Sequence, residues 1–208
     1  SQATRTPLGK GPFAMVIAED ATALASTLDH LTQLGFRRIF LLLPKDVDLP
    51  GSLADPAESG SIHPGADDNA SGVAALLEVA EALSAARDRG EEVGKRDYVF
   101  AAWSGEELGL LGSNAWARNE INPHSRASGP IAYLNFDMVG RLRDELVLQG
   151  LGSSPAWAAL VADASKDSPL KLALQQDAYL PTDVTSFYTQ GVPVLAAFTG
   201  VHSEYHTP

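Results

Sequence analysis

The chain has 208 residues, 45% of them hydrophobic and 20% charged, with a formal net charge of −11. That length holds one domain with a sizeable core, and the acid excess leaves no basic footprint for nucleic acid or an anionic membrane, so cations are the expected partners. No apolar run approaches the roughly 20 residues that span a bilayer. With no cysteine in the chain, disulfides, thiol nucleophiles and cysteine zinc sites are excluded, and any metal must be held by carboxylates and histidines.

Residues 1–12, SQATRTPLGKGP, read as a polar tail of the kind left after a removed leader, or as an appended sequence. On the first reading a secreted or periplasmic location is expected rather than a cytoplasmic one. FAMVIA (13–18) reads as a strand. Asp20 then caps a helix with Leu24, Leu28 and Leu31 on one face and Gly35 as its stop, and RRIFLLL (37–43) is a buried strand. Residues 44–67 are rich in Pro, Gly, Ser and Asp and read as a long loop, of a length that in compact domains is usually functional or mobile. GADD (65–68) runs directly into a helix whose apolar face is Val73, Leu76, Leu77, Ala80 and Leu83, with Gly90 ending it before the strand YVFAAW (98–103). SGEELGLLGS follows at once. The strands IAYLNFD (131–137) and LVLQG (146–150), a helix from about Pro155, a strand near 170–175, a short helix near 183–189 and the strand PVLAAF (193–198) complete the chain. Strands alternating with helices predict a single α/β domain over 13–208 with a mainly parallel sheet.

Three acidic motifs fall where strands end: Asp68 after the long loop, Glu106 and Glu107 after YVFAAWSG, and Asp137 closing IAYLNFD. Ligands of open α/β sheets bind outside the carboxyl ends of the strands, so these acids are expected to converge, and His206 beyond the last strand can reach the same edge. Carboxylates crowded in a cleft repel one another unless a divalent cation neutralises them. Acids with histidine suit zinc, with manganese or cobalt also open. A metal pair needs a bridging carboxylate, and a neighbouring free glutamate can take a proton from activated water. Glu106 and Glu107 are adjacent and point different ways, so one can bind metal while the other serves as base.

Each motif also has a plainer reading. Asp67 and Asp68 can be a helix cap with a solvated acid, GEE the same, and His206 a surface histidine. Asp137 resists it, because an acid after a strand as apolar as IAYLNF needs a partner. Other chemistries lack support. Ala102 stands where a nucleophile elbow needs glycine, and GKGP and GLGS are too short for a phosphate loop. Asn69-Ala70-Ser71 fits a glycosylation acceptor, but its place at a helix start favours a structural role. Trp103, Trp116 and Trp157 read as core or pocket wall.

At GADDNASG (65–72), AWSGEELGLLGS (102–113), NFDMVG (135–140) and YHTP (205–208) the sequence resembles the co-catalytic zinc aminopeptidases of metallopeptidase family twenty-eight, relatives of glutamate carboxypeptidase and glutaminyl cyclase. The resemblance implies a three-layer α/β/α sandwich with a mixed, mostly parallel central sheet of eight strands. It also implies two zinc ions and the removal of N-terminal residues from peptides with a free N-terminus. By the same resemblance Asp68 is the bridging ligand, Glu106 the general base, Glu107 and His206 ligands of one zinc, and Asp137 a ligand of the other. PTDVTSFYTQGVPVL (181–195) resembles the family's SDHxxF…GxP segment, with Asp183 at its acidic position. Asp67 and Tyr205 are candidates for supporting the ligands or lining the substrate pocket.

Upstream the sequence departs from the family pattern, a strand ending in AHxDH. Here IFLLLPKDVDLPG (39–51) puts Asp46 in place of the zinc-binding histidine and Asp48 at the motif's aspartate. His63 is a possible substitute ligand, against the plainer reading of a solvated loop histidine. The chain ends at HTP, where family members continue with Asp-Thr and a closing helix. The leading expectation is therefore a metallopeptidase hydrolase of the aminopeptidase type. The alternatives are a non-catalytic or single-metal homologue, and a one-zinc transferase resembling glutaminyl cyclase. The sequence sets neither side-chain preference nor oligomeric state.

Overall fold

The computed structural model describes residues 13–17 and 38–42 through their backbone and residues 65–121 and 129–206 in full. The polar tail, the expected helix after Asp20, and the candidate residues Asp46, Asp48 and His63 lie outside the described residues. The chain divides into two compact units, one of Ser1–Asp46 with Glu78–Ala102 and one of Val47–Leu77 with Trp103–Pro208.

The first unit contains a three-stranded sheet in the order β2-β1-β3, with β1 at Phe13–Ile17, β2 at Arg38–Leu42 and β3 at Val99–Phe100. All pairings are parallel. β1 and β2 pair along five residues, whereas β3 meets β1 only at Phe13↔Val99 and Ala14↔Phe100. The strand expected over 98–103 is therefore much shorter. YVFAAW has the propensity for six residues, but ladder length depends on the neighbouring strand, which the local sequence does not encode.

The second unit carries a four-stranded sheet in the order β4-β7-β5-β6. Its strands are β4 Tyr133–Phe136, β5 Leu146–Gln149, β6 Leu172–Leu174 and β7 Val194–Phe198. β4 runs parallel to β7 and β5 parallel to β6, while β5 and β7 are antiparallel, so the sheet is mixed. Helix α1 spans Gly72–Asp88, α2 Leu111–Glu120, α3 Trp157–Ser165 and α4 Val184–Tyr188; α1, α3 and α4 lie close to their expected places, and α2 is a helix for which the sequence pattern set no range. No helix among the described residues is long and apolar enough to cross a membrane.

The second unit's core gathers Ala117 and Ile121 at the end of α2, Val184 and Phe187 of α4, and Val194 and Ala196 of β7. The Tyr133 ring stacks on Phe187 with centroids 3.9 Å apart, and Trp103 and Trp116 tilt against the same phenyl ring. This settles both tryptophans as core wall. Burying a phenylalanine contributes roughly 1.5–3 kcal/mol, and aromatic pairs of this geometry add about 0.5–1.5 kcal/mol each. Ser113 of α2 and Ser186 of α4 meet as a buried hydroxyl pair at 2.8 Å, so the helix contact leaves neither hydroxyl unsatisfied. Because β4 and β7 are parallel, the residues that follow them, Asp137 and the 199–206 segment, leave the sheet at one edge. Thr199 holds that edge together: its N–H and its hydroxyl both donate to the Met138 carbonyl, at 2.9 and 2.6 Å.

Candidate metal centre

Asp68 is placed by a wide turn, Ala66–Ser71, closed by the Ala70 N–H donating to the Gly65 carbonyl at 2.9 Å. GADD does not run straight into the helix. Asp68 (φ −107°, ψ 90°) and Asn69 (φ −133°, ψ 39°) leave helical space, and α1 begins only at Gly72. The break turns the Asp68 carboxylate away from the helix end that would otherwise have used it as a cap.

The turn is sewn to the loop after β4. The Asn69 side chain donates to the Phe136 carbonyl at 2.9 Å and accepts from the Gly72 and Met138 N–H groups at 3.0 and 3.3 Å. Ser71 Oγ donates to the Asp67 carbonyl at 2.7 Å and accepts from Val139 at 3.0 Å. Asp67 Oδ1 accepts the Gly140 N–H at 2.8 Å. These bonds fix Asp68 relative to Asp137, and they occupy the Asn69 amide, in keeping with its structural reading. Two glycines make the approach possible: a Cβ on Gly72 would lie 2.2 Å from the Phe136 oxygen, and one on Gly140 would lie 2.8 Å from Asp67 Oδ1.

His206 closes the cluster. Its Nε2 lies 3.0 Å from Asp68 Oδ2 and 2.8 Å from Glu107 Oε1, and the three ligand atoms all fall within 4.8 Å of one another. One imidazole nitrogen cannot satisfy two carboxylates with one hydrogen, whereas a cation among the three serves all of them. Zinc ligands at about 2.0–2.2 Å in tetrahedral array stand about 3.3 Å apart, so the observed spacing needs only a small opening. A two-carboxylate, one-imidazole donor set suits zinc.

The electrostatics of the remaining acids fit the same need. Burial, then the charges of Glu107, Asp183, Asp137 and Asp68, push Glu106 up to about 7. Burial, then Asp68, Asp183, Glu107 and Asp67, push Asp137 up to about 6. Partial burial opposes charge on His206, but the charge and hydrogen bond of Glu107 and the contact with Asp68 outweigh it and hold the imidazole above its usual range. Asp183 is almost fully buried at the start of α4, with Oδ1 lacking a hydrogen-bond partner. Burial raises it, against the pull of the Ser113 hydroxyl. Tyr205 stacks on His206 with ring centroids 3.7 Å apart, and burial followed by the Glu107 and Asp68 charges pushes its phenol up to about 12.

Of the residues singled out in the sequence, Asp68, Glu107 and His206 share ligand distance, and Glu106 and Asp137 both feel the charges of Asp68, Glu107 and Asp183. Asp67 supports the turn rather than joining the ligand triad. Sequence reasoning missed His202, whose buried ring places Nε2 at 3.1 Å from Asp67 Oδ2. The signal was present in HSEYH, where the two histidines stand four residues apart.

Two carboxylates and an imidazole at ligand distance, with Asp137 directly after β4, form a candidate metal centre in an α/β chain. The chain belongs to Peptidase family M28, whose profile matches residues 28–208. It is 31% identical over 172 residues to "Probable leucine aminopeptidase 2" of Aspergillus fumigatus, an alignment covering 77% of this chain and 32% of that protein. Among solved structures it is similar to a zinc aminopeptidase from Bacillus subtilis, at 27% identity and a TM-score of 0.55, covering 71% of this chain and 37% of that one. A glutaminyl cyclase from Porphyromonas gingivalis shares the fold at 20% identity and a TM-score of 0.50, with 97% and 64% covered. The chain spans about a third of the length of the aminopeptidase relatives it matches.

Proposed function

We propose that this chain carries the active site of a zinc-dependent aminopeptidase, releasing N-terminal residues from peptides that have a free α-amine. The observation that carries the reading is the Asp68–Glu107–His206 triad with Glu106 beside it, held near neutrality. Asp68, Glu107 and His206 would hold one zinc. Asp68 and Asp137 would hold a second, with Asp46, outside the described residues, as its further ligand. When bound, zinc supplies a Lewis acid that polarises the scissile carbonyl and makes water a stronger acid.

The chain's own residues do the rest. Glu106 accepts a proton from the attacking water on its carboxylate and returns it to the leaving amine, a cycle that works best for a group titrating near the operating pH. Burial is the largest single cause of that tuning, and the neighbouring acids add to it. The buried Asp183 is one of the acids whose charge helps Glu106 hold its proton. The same acids favour a cationic α-amine over a blocked N-terminus.

The non-catalytic alternative rested on the histidine replaced near Asp46, and both the family match and the triad favour the enzyme over it. Glu106→Gln tests the assignment: metal content measured after dialysis stays at the wild-type level while leucine anilide cleavage falls by roughly 10²–10⁴. Unchanged cleavage would overturn it.

A further inference from the structure

We propose that His202 is a positioning residue for zinc, setting the separation between the segments that carry Asp68 and His206. This rests on the reading of Asp68, Glu107 and His206 as zinc ligands. The His202 side chain is 6% exposed and that of Asp67 10%, so the contact between them is shielded from water. The carboxylate can only accept, so His202 Nε2 carries the hydrogen and donates it across 3.1 Å to Asp67 Oδ2. The other Asp67 oxygen is already committed to the Gly140 N–H at 2.8 Å. One carboxylate thereby ties the 200–206 segment to the loop that follows Asp137, and it is the immediate chain neighbour of Asp68.

A second tie runs alongside. Glu204 accepts from Arg141 Nη1 at 2.6 Å, which joins the same two segments, while the buried His202 Nδ1 has no hydrogen-bond partner among the described residues. From His202 the constraint reaches His206 through a short turn, in which the Tyr205 N–H donates to the His202 carbonyl at 3.2 Å. The Tyr205 ring meets His202 edge-on at 6.4 Å and stacks on His206. His206 itself sits at φ +55°, in the left-handed region that few residues with a side chain adopt. The turn anchored by His202 holds that conformation before a metal arrives, so the imidazole is already aimed at Asp68 and Glu107. Polar groups that orient metal ligands typically account for roughly 10- to 100-fold in metal affinity.

The test is zinc affinity of the whole 208-residue chain, measured by competition with a chromophoric chelator and no substrate present. His202→Leu fills the same space without a donor and is expected to weaken zinc by roughly 10- to 100-fold. His202→Gln, whose amide reaches to the position of Nε2, is expected to recover most of that loss. Wild-type affinity in His202→Leu would overturn the proposal, as would equal weakness in the Leu and Gln variants, since bulk alone would then be at issue. Should His202→Leu fail to fold, His202→Asn takes its place, because its amide is too short to reach Asp67, and wild-type affinity there counts against the proposal. His206→Ala separates the two levels. If it leaves zinc binding intact, the metal centre itself is wrong; if it abolishes binding while His202→Leu does not weaken it, only the role of His202 falls.

Discussion

Asp137→Asn in the metal-free chain should raise stability at alkaline pH, although it removes an acid from the centre of the site. Asp137 titrates near 6 rather than at its ordinary 3.8 because it is buried and faces Asp68, Asp183, Glu107 and Asp67. Between those two values the unfolded chain has already released its proton while the folded chain retains it, so folding loses ground as pH rises through the window. A shift of about 2 pKa units at 1.36 kcal/mol per unit corresponds to about 3 kcal/mol, present in full above pH 6 and absent well below 4. Asparagine has nearly the same shape and no charge. Urea denaturation of the chelated protein should therefore show the variant about 3 kcal/mol more stable than wild type at pH 8 and within about 1 kcal/mol of it at pH 4. Saturating zinc should reverse the order at pH 8, because a ligand that binds only the folded state stabilises in proportion to its affinity and the variant has lost a ligand. An asparagine variant no more stable than wild type at pH 8 without metal would refute the idea that this carboxylate is held against the repulsion of its neighbours.

Burial, with the charges of Glu107, Asp183, Asp137 and Asp68, pushes Glu106 up to about 7 in the metal-free chain; carboxyl carbon chemical shifts should show that midpoint, and zinc should move it downward because a nearby cation favours the carboxylate. An unmoved midpoint would mean that zinc binds elsewhere. Gly72→Ala, which by helix propensity alone would gain up to about 1 kcal/mol, should instead destabilise by roughly 1–3 kcal/mol. Its methyl would stand 2.2 Å from the Phe136 carbonyl and 2.3 Å from Asn69 Oδ1, and a neutral result in chemical denaturation would contradict that packing. Tyr133→Phe keeps the ring stacked on Phe187 but removes a hydroxyl that accepts from Trp103 Nε1 at 3.1 Å and donates to Asn135 Oδ1 at 2.8 Å. A loss of about 1–3 kcal/mol in thermal unfolding follows from the stranded indole N–H, and a loss below about 0.5 kcal/mol would show that the hydroxyl is not needed there.

The parts of the fold that could be read from the sequence were those whose covering leaves a local imprint. IAYLNFD, LVLQG and PVLAAF are apolar runs of strand length, and the structure has strands at Tyr133–Phe136, Leu146–Gln149 and Val194–Phe198. Asp137 was legible for a related reason, since a carboxylate at the end of a run as apolar as IAYLNF has few uses other than a ligand or a partner. What escaped depends on residues far apart in the chain. The shortening of YVFAAW to Val99–Phe100 is set by its register against β1. The break between GADD and α1 is held by Phe136, Met138 and Val139, some 67 to 69 positions away. His202 was passed over because its partner Asp67 is 135 residues distant, and a histidine in a polar segment near the chain end reads locally as a surface residue.

The central claim is that Asp68, Glu107 and His206 bind a metal ion on which the chemistry depends. Anomalous diffraction at the zinc edge, from crystals of the chain grown with zinc, tests it most directly. The account predicts a peak among those three side chains, with a second beside Asp137. Zinc density absent from that cluster, or confined to surface carboxylates elsewhere, would contradict it.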